Sequence, residues 1–285
     1  MEAPHTLQEA VVYFSDPDRA FQYALNLRWP NGVVACPRCG SEKHSFIKTR
    51  RIWFCSGCKK QFTLKVGTIF EDSPLGLDKW MCAYWMLCNC KNGVSSCELA
   101  RSIGVTQKSA WHMLHRIRKT LHEESAIMLS GEVEADETFI GGKARNMHLS
   151  KKARRITGTG TVDKTAVMGI LERGGTVRTS VVADRKKKTL QAEVKKHVEA
   201  GAALYTDALL SYEGLAGKYA HGINGTYVSI EPFHLFRYLD EQSFRCNNRK
   251  DIGDQGRFEL AMGNVAGKRL TYAELTGAGS ATSHS

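Results

Sequence analysis

Four cysteines place the first constraint on this chain. "CPRCG" supplies Cys36 and Cys39, "FCSGCKK" supplies Cys55 and Cys58, and 15 residues separate the two pairs. That is zinc-ribbon spacing. Each tight C-x-x-C turn aims two thiolates at one point, and four of them close a tetrahedron around Zn²⁺ with no open position, which makes the site structural. Gly40 and Gly57 are expected to give the two turns their backbone freedom. The flanking "RRIWFC" and "KQFTLKVGTIF" are expected to be short strands, too small to build a core unaided, so metal ligation supplies much of the folding energy. The other five cysteines, Cys82, Cys88, Cys90, Cys97 and Cys246, form no second pair of knuckles and are expected to pack as small hydrophobes.

Composition narrows the partner. The 285 residues carry 40 Lys+Arg against 29 Asp+Glu, a formal charge of +11 with a pI near 9.2, and 42% hydrophobic content. A chain of this length can bury two or three small cores. The cationic excess fits a polyanion, either nucleic acid or an anionic membrane. No apolar run reaches membrane-spanning length, and "MEAPHTLQEA" lacks the basic-then-apolar layout of a signal peptide. The expectation is therefore a cytoplasmic protein, with nucleic acid favoured over membrane.

Residues 92–121, "NGVSSCELARSIGVTQKSAWHMLHRIRKTL", supply a candidate reader of that nucleic acid. A helix starts after Ser95 or Ser96 with Glu98 in its first turn, and stops at Gly104. A second helix starts after Thr106, with Ala110, Leu114, Ile117 and Leu121 on one face. Gln107, Lys108, His112, His115, Arg116 and Lys119 fall mostly off that face. Two short helices, a glycine turn and a basic second helix define a helix-turn-helix. Gln107, Lys108 and Ser109 are placed to reach base edges, while Arg116, Arg118 and Lys119 suit phosphates. The competing interpretation is an ordinary helical hairpin with a solvated basic face.

From Gly131 the pattern turns to strands. "GEVEADETFIGGK" alternates into Asp136, and the basic stretch that follows, through "TGTGTVD", is expected to be a mobile loop. "KTAVMGILERGG" and "TVRTSVVAD" form a hairpin through Gly-Gly. "RKKKTLQAEVKKHVEAG" is helical, and "AALYTDA" is a strand that ends at Asp207. Three strands, a helix and a fourth strand, with aspartates on the first and fourth, are the opening of an RNase H-like fold. In that fold the two strands are neighbours, so Asp136 and Asp207 converge. Paired carboxylates suit Mg²⁺, and two such ions serve in-line displacement at phosphate.

"TIFEDSPLGLDKW", "ELARSIGVTQKSAWHMLHRIR", "VEADETFIGGK", "YTDALLSYEGL" and "HLFRYLDEQSFRCNNR" together resemble bacterial insertion-sequence transposases of the ISXO-type group. The resemblance runs from about Phe14 to Gly277. It implies an N-terminal zinc ribbon with structural Zn, a DDE-type catalytic domain using Mg or Mn, and Asp136 and Asp207 as the first two catalytic metal ligands. It also implies double-stranded DNA partners, namely the element's terminal inverted repeats and target DNA, homo-oligomers on that DNA, and a nucleoid location when bound.

One departure stands out. In these relatives a further strand, a loop and a helix with the third catalytic residue follow the second aspartate. Here "LAGKYAH" passes directly to "GINGTYVSIEPF", so the resemblance implies that the fifth strand and the start of the catalytic helix are missing near residues 221–222. Glu241 follows Asp207 after 33 residues, a tempting substitute. On a helix over about Pro232–Asn248, however, it points roughly 150° from the arc of Leu235, Phe236, Leu239 and Cys246. It also lies between Arg237 and Arg245, as on a solvated ion-paired face. Glu231 is a weaker candidate still. The expected organisation is α+β and multidomain: an N-terminal helix and ribbon over 1–70, a helix-turn-helix region over 71–128, a truncated RNase H-like domain over 129–277, and a disordered tail over 278–285. Three functions follow: an insertion-sequence transposase, a catalytically dead DNA-binding remnant or competitor of one, and, more remotely, a zinc-ribbon transcription regulator.

Overall fold

The computed structural model describes residues 3–122, 127–141, 149, 164–183, 187–206, 232–250 and 252–277. They divide into two compact units, the first made of Met1–Cys90, Val94–Leu121 and Asp251–Ser285, the second of Lys91–Gly93 and His122–Lys250. The division differs from the expected boundaries at the C-terminal end. Residues 252–277 fold with the N-terminal unit, and the ribbon and the helix-turn-helix share a unit rather than each keeping a core of its own.

In the first unit, α1 (Leu7–Phe14) opens on a capping box made by Thr6 and Glu9, and α2 (Pro17–Arg28) on Asp16, whose side chain accepts the N–H groups of Asp18 and Arg19. Strands β1 (His44–Ile47), β2 (Ile52–Cys55) and β3 (Gln61–Thr63) form an antiparallel sheet in the order β1-β2-β3. Its apolar side is anchored by Trp53, stacked on Phe62 at 5.5 Å and on Phe21 of α2 at 6.0 Å. Helix α3 (Leu77–Asn89) buries Trp80, Met81, Tyr84, Trp85, Leu87 and Cys88. The helix-turn-helix follows as α4 (Ser96–Ile103) and α5 (Gln107–Thr120). Both N-caps behave as expected: Ser95 accepts from the Glu98 N–H and Thr106 from the Ser109 N–H. Gly104 ends α4 at φ +62°, a left-handed turn that costs glycine no steric penalty.

Two C-terminal helices, α8 (Asp254–Gly263) and α9 (Tyr272–Thr276), complete this core. Phe258 of α8 is 1% exposed and sits among Phe14, Tyr23, Tyr84 and Trp85, with ring centroids 5.2–6.4 Å away. Arg257 donates to the Asn89 side chain at 3.0 Å, and the N–H of Gly267 donates to the Gly67 carbonyl at 2.9 Å.

The second unit is a sheet in the order β6-β5-β4-β7. Strands β4 (Glu132–Ile140), β5 (Thr165–Glu172) and β6 (Val177–Val182) run antiparallel in sequence, and β7 (Ala203–Thr206) pairs parallel with β4. A parallel neighbour requires a crossover, which contains helix α6 (Lys187–His197). One face of the sheet buries Val133, Ala135, Ala166, Met168, Ile170 and Val182 with Leu190 and Val194 of α6. On the other, Val167 packs with Leu235 and Leu239 of α7 (Leu235–Asn247), and Ile140 joins them. The expected strands and hairpin are all present. The expected loop over 143–163 lies outside the described residues apart from Leu149.

Candidate metal centre and nucleic-acid interface

The ribbon brings its four cysteines together. The sulfur atoms of Cys36, Cys39, Cys55 and Cys58 all lie within 4.8 Å of one another, with Cys36–Cys58 at 3.8 Å and Cys39–Cys55 at 3.5 Å. A tetrahedron of thiolates at the Zn–S length of about 2.3 Å has edges of about 3.8 Å. The residues therefore fit zinc. The N–H of Cys58, with that of Gly57 behind it, holds the Cys55 thiol down to about 6. At Cys39 the Ser41 N–H acts in the same direction and is the largest single influence, but the Cys55 sulfur, desolvation and the sulfurs of Cys36 and Cys58 together outweigh it and the thiol rises to about 11. A bound dication would deprotonate all four.

The knuckle geometry corrects one expectation. In each turn the left-handed residue is the one directly after the second cysteine, Gly40 at φ +73° and Lys59 at φ +58°. Gly57 is not left-handed. Its role is space: a Cβ there would meet Ser41 Cβ at 3.0 Å.

The helix-turn-helix shows a larger difference. Gln107 and Lys108 are exposed at the start of α5. Gln107 donates to Ser96 Oγ at 2.8 Å, and the Lys108 ammonium stands 5.1 Å from the Tyr272 ring. Ser109 Oγ lies 2.9 Å from Thr106 Oγ1. His112 is partly buried with its ring edge-on to Tyr272; burial, and then the Arg116 charge, lower its pKa to about 4. Ala110, Leu114, Ile117 and Leu121 face the core as expected, at 0–2% exposure. Burial takes Arg116 and Arg118 out of the phosphate role expected of them. Arg116 is 5% exposed and gives its guanidinium to the carbonyls of Ile69 at 2.8 Å and Glu71 at 2.6 Å. Arg118 is 1% exposed, and Lys119 donates to the Arg269 carbonyl at 2.6 Å. The reason is tertiary: the α8–α9 segment and the strand-to-helix linker after β3 lie against this helix, so Arg116 and Lys119 cap their backbone carbonyls.

The ribbon shows the reverse. Arg38, Lys43, Lys48, Arg50, Lys59 and Lys60 are all exposed, and none has an ion-pair partner among the described residues. The sequence reading passed over them, although the pairs Arg50-Arg51 and Lys59-Lys60 were a visible signal.

In the second unit Asp136 lies mid-strand on β4, paired with Gly169 of β5. Alternation along β4 places it on the face opposite Val133 and Ala135, the side covered by α7. Burial raises its carboxyl pKa, against the pull of the Glu137 N–H, which it accepts at 2.8 Å. Strand β7 is described as far as Thr206, which pairs with Ala135. Asp207 and Glu231 lie outside the described residues. Among those residues the four cysteines are the one group of three or more convergent metal ligands.

Glu241 also needs correction. Its pairing with Arg245 is as expected, but the pair is not solvated: Glu241 is 0% and Arg245 8% exposed. The buried arc of α7 is Leu235, Tyr238, Leu239 and Gln242, while Phe236, assigned to that arc in the sequence, is 45% exposed. Arg237 and Glu241 are enclosed as well, so α7 is buried on more than one side. Asn247 holds the helix to edge strand β6 by accepting from the Val177 N–H at 2.8 Å and donating to its carbonyl at 3.2 Å; Ser243 meets Thr179 at 2.9 Å.

The ribbon with its four converging cysteines and the β6-β5-β4-β7 sheet with an aspartate on its central first strand each coincide with a known transposase domain. Residues 15–61 match the transposase zinc-ribbon domain, and residues 128–222 match the ISXO2-like transposase domain, so the resemblance carried by short motifs holds over two longer segments. The chain is also 26% identical over 212 residues to a protein described as an uncharacterized protein in transposable element ISH50 of Halobacterium salinarum, covering 71% of each. No solved structure matches. Among the described residues no helix is long and apolar enough to cross a membrane.

Proposed function

We propose that this protein is an insertion-sequence transposase that binds the terminal inverted repeats of its element through the first unit. What carries this reading is the pairing of a ribbon whose sulfur atoms fit Zn²⁺ with a matched transposase domain downstream in the same chain. In it, Asp136 and Asp207 are the first two ligands of a catalytic Mg²⁺ or Mn²⁺, which supplies Lewis-acid stabilisation for DNA cleavage and strand transfer when bound. Asp136 suits the task by type, a hard carboxylate whose partial burial favours a cation beside it. The protein acts in the cytoplasm, on the nucleoid, as a homo-oligomer assembled on element ends and target DNA.

A second reading, DNA binding without chemistry, is favoured by the state of Glu241. That carboxylate is fully buried, committed to Arg245, and carried by a helix that Asn247 and Ser243 seat on β6. Strand β6 lies two strands from β4, about 10 Å across the sheet. The end of the domain match at residue 222, beside the discontinuity near 221–222, supports the same reading. Losing one preorganised stabilising group costs about 10²–10³ in rate.

The deciding experiment is an oligonucleotide cleavage and strand-transfer assay with Mg²⁺ or Mn²⁺, run beside binding to terminal-repeat duplexes. Product absent from an Asp136→Ala variant establishes the transposase chemistry. Preferential repeat binding with no product beyond that variant establishes the second reading. No preference for the repeats over unrelated duplexes overturns both and leaves a zinc-ribbon regulator as the remaining class.

A further inference from the structure

We infer that the zinc ribbon, not the helix-turn-helix, is the part of the first unit that grips the DNA phosphate backbone, with two clusters of free cations set at the two ends of its sheet. The inference rests on the DNA-binding reading above and divides the labour within it. Between Val34 and Val66 the chain holds eight Lys and Arg and one acid, Glu42. A zinc tetrathiolate subtracts only two charges from that excess. The register shows how the cations are arranged. His44 pairs with Cys55 and Gln61 with Phe54, so Lys43, Lys59 and Lys60 gather at the metal end of the sheet. Ile47 pairs with Ile52, so Lys48 and Arg50 occupy the hairpin tip.

A four-residue strand separates the two ends by about 13 Å, equal to about four base-pair steps at 3.4 Å each. Phe46, 45% exposed, lies on the edge strand between them. Helix α5 offers little of this kind. Arg116 and Arg118 are buried, and Lys119 is bonded to a backbone carbonyl. What α5 leaves exposed is its first turn, Gln107 and Lys108, the part of a recognition helix that meets base edges. Ribbon and helix thus take different tasks: one holds the backbone, the other reads.

Counterion release provides the test. The zinc-loaded full chain and the variants Lys48→Gln/Arg50→Gln and Lys59→Gln/Lys60→Gln are titrated with a labelled mixed-sequence DNA duplex between about 50 and 200 mM salt. Each phosphate contact contributes about 0.9 to the slope of log K against log salt, so each double variant should lower the slope by up to about 1.8. Lys119→Gln should leave it unchanged. Zinc content and thermal melting confirm that the variants fold. Unchanged slopes in both ribbon variants, with tight binding retained, overturn this inference but leave the DNA-binding reading standing. Failure of the unmodified protein to bind DNA at all removes that reading instead. A preference of more than about tenfold for an RNA duplex over DNA would overturn the choice of partner.

Discussion

The ribbon and helix α5 are both rich in Arg and Lys, yet they use them in opposite ways. In the ribbon a three-stranded sheet has too little interior to hide a long side chain, so Lys43, Lys48, Arg50, Lys59 and Lys60 stay in water. Around α5 there is an interior: the linker after β3 brings the carbonyls of Ile69 and Glu71 within reach, and Arg116 binds both. An arginine buried against carbonyls is structural even on the second helix of a helix-turn-helix. Charge density in a sequence therefore reports surface charge only where the element is too thin to bury it.

The largest test of this contrast is metal removal. Structural zinc contributes on the order of 10 kcal/mol or more to small domains of this kind. Chelation, or Cys58→Ser, should unfold the ribbon, shift Trp53 emission to the red and abolish DNA binding, while the sheet of the second unit keeps its secondary structure by circular dichroism. If Trp53 emission does not move, the sulfur cluster is not what holds the ribbon. Next in size is a pair buried in the second unit. Glu241→Ala strands Arg245 and should cost about 3–5 kcal/mol in denaturant unfolding, whereas Glu241→Leu with Arg245→Met should be near neutral. Equal losses in both would mean the pair contributes more than mutual neutralisation.

Arg116→Ala comes third. Losing charge-assisted bonds to two carbonyls should cost roughly 2–3 kcal/mol, with no change in the salt dependence of DNA affinity. A fall in that dependence would make Arg116 a phosphate contact after all. The smallest effect is expected at His112, whose folded pKa of about 4 lies below its ordinary 6.5. Above pH 6.5 the ring is neutral in both states. As pH falls toward 4 the unfolded chain takes up a proton that the folded one resists, so stability drops across that window. His112→Gln should flatten the drop; an unaltered pH profile would place its origin elsewhere.

What the sequence disclosed was local. The cysteine spacing, the caps at Ser95 and Thr106, the stop at Gly104, and the strand order leading into Asp136 depend on neighbours within a few residues. What it concealed depends on partners far along the chain. Arg116 is buried by carbonyls more than forty residues upstream, and Lys119 is engaged by Arg269, 150 residues on. Helical periodicity pairs Glu241 with Arg245 but cannot say that α7 is enclosed on two sides. Gly57 looked like a flexible turn residue because a sequence does not reveal Ser41 packed beside it.

The return of the chain at Phe258 has a consequence for synthesis. The aromatic cluster of the first unit lacks its central ring until the ribosome has moved from Leu121 to Phe258, about 7–27 s at ordinary elongation rates. Through that interval Phe14, Tyr84 and Trp85 lack the one ring that they share, while every described strand of the second unit has already been made. The unit that begins at the N-terminus is thus completed only after the strands of the second unit have been made.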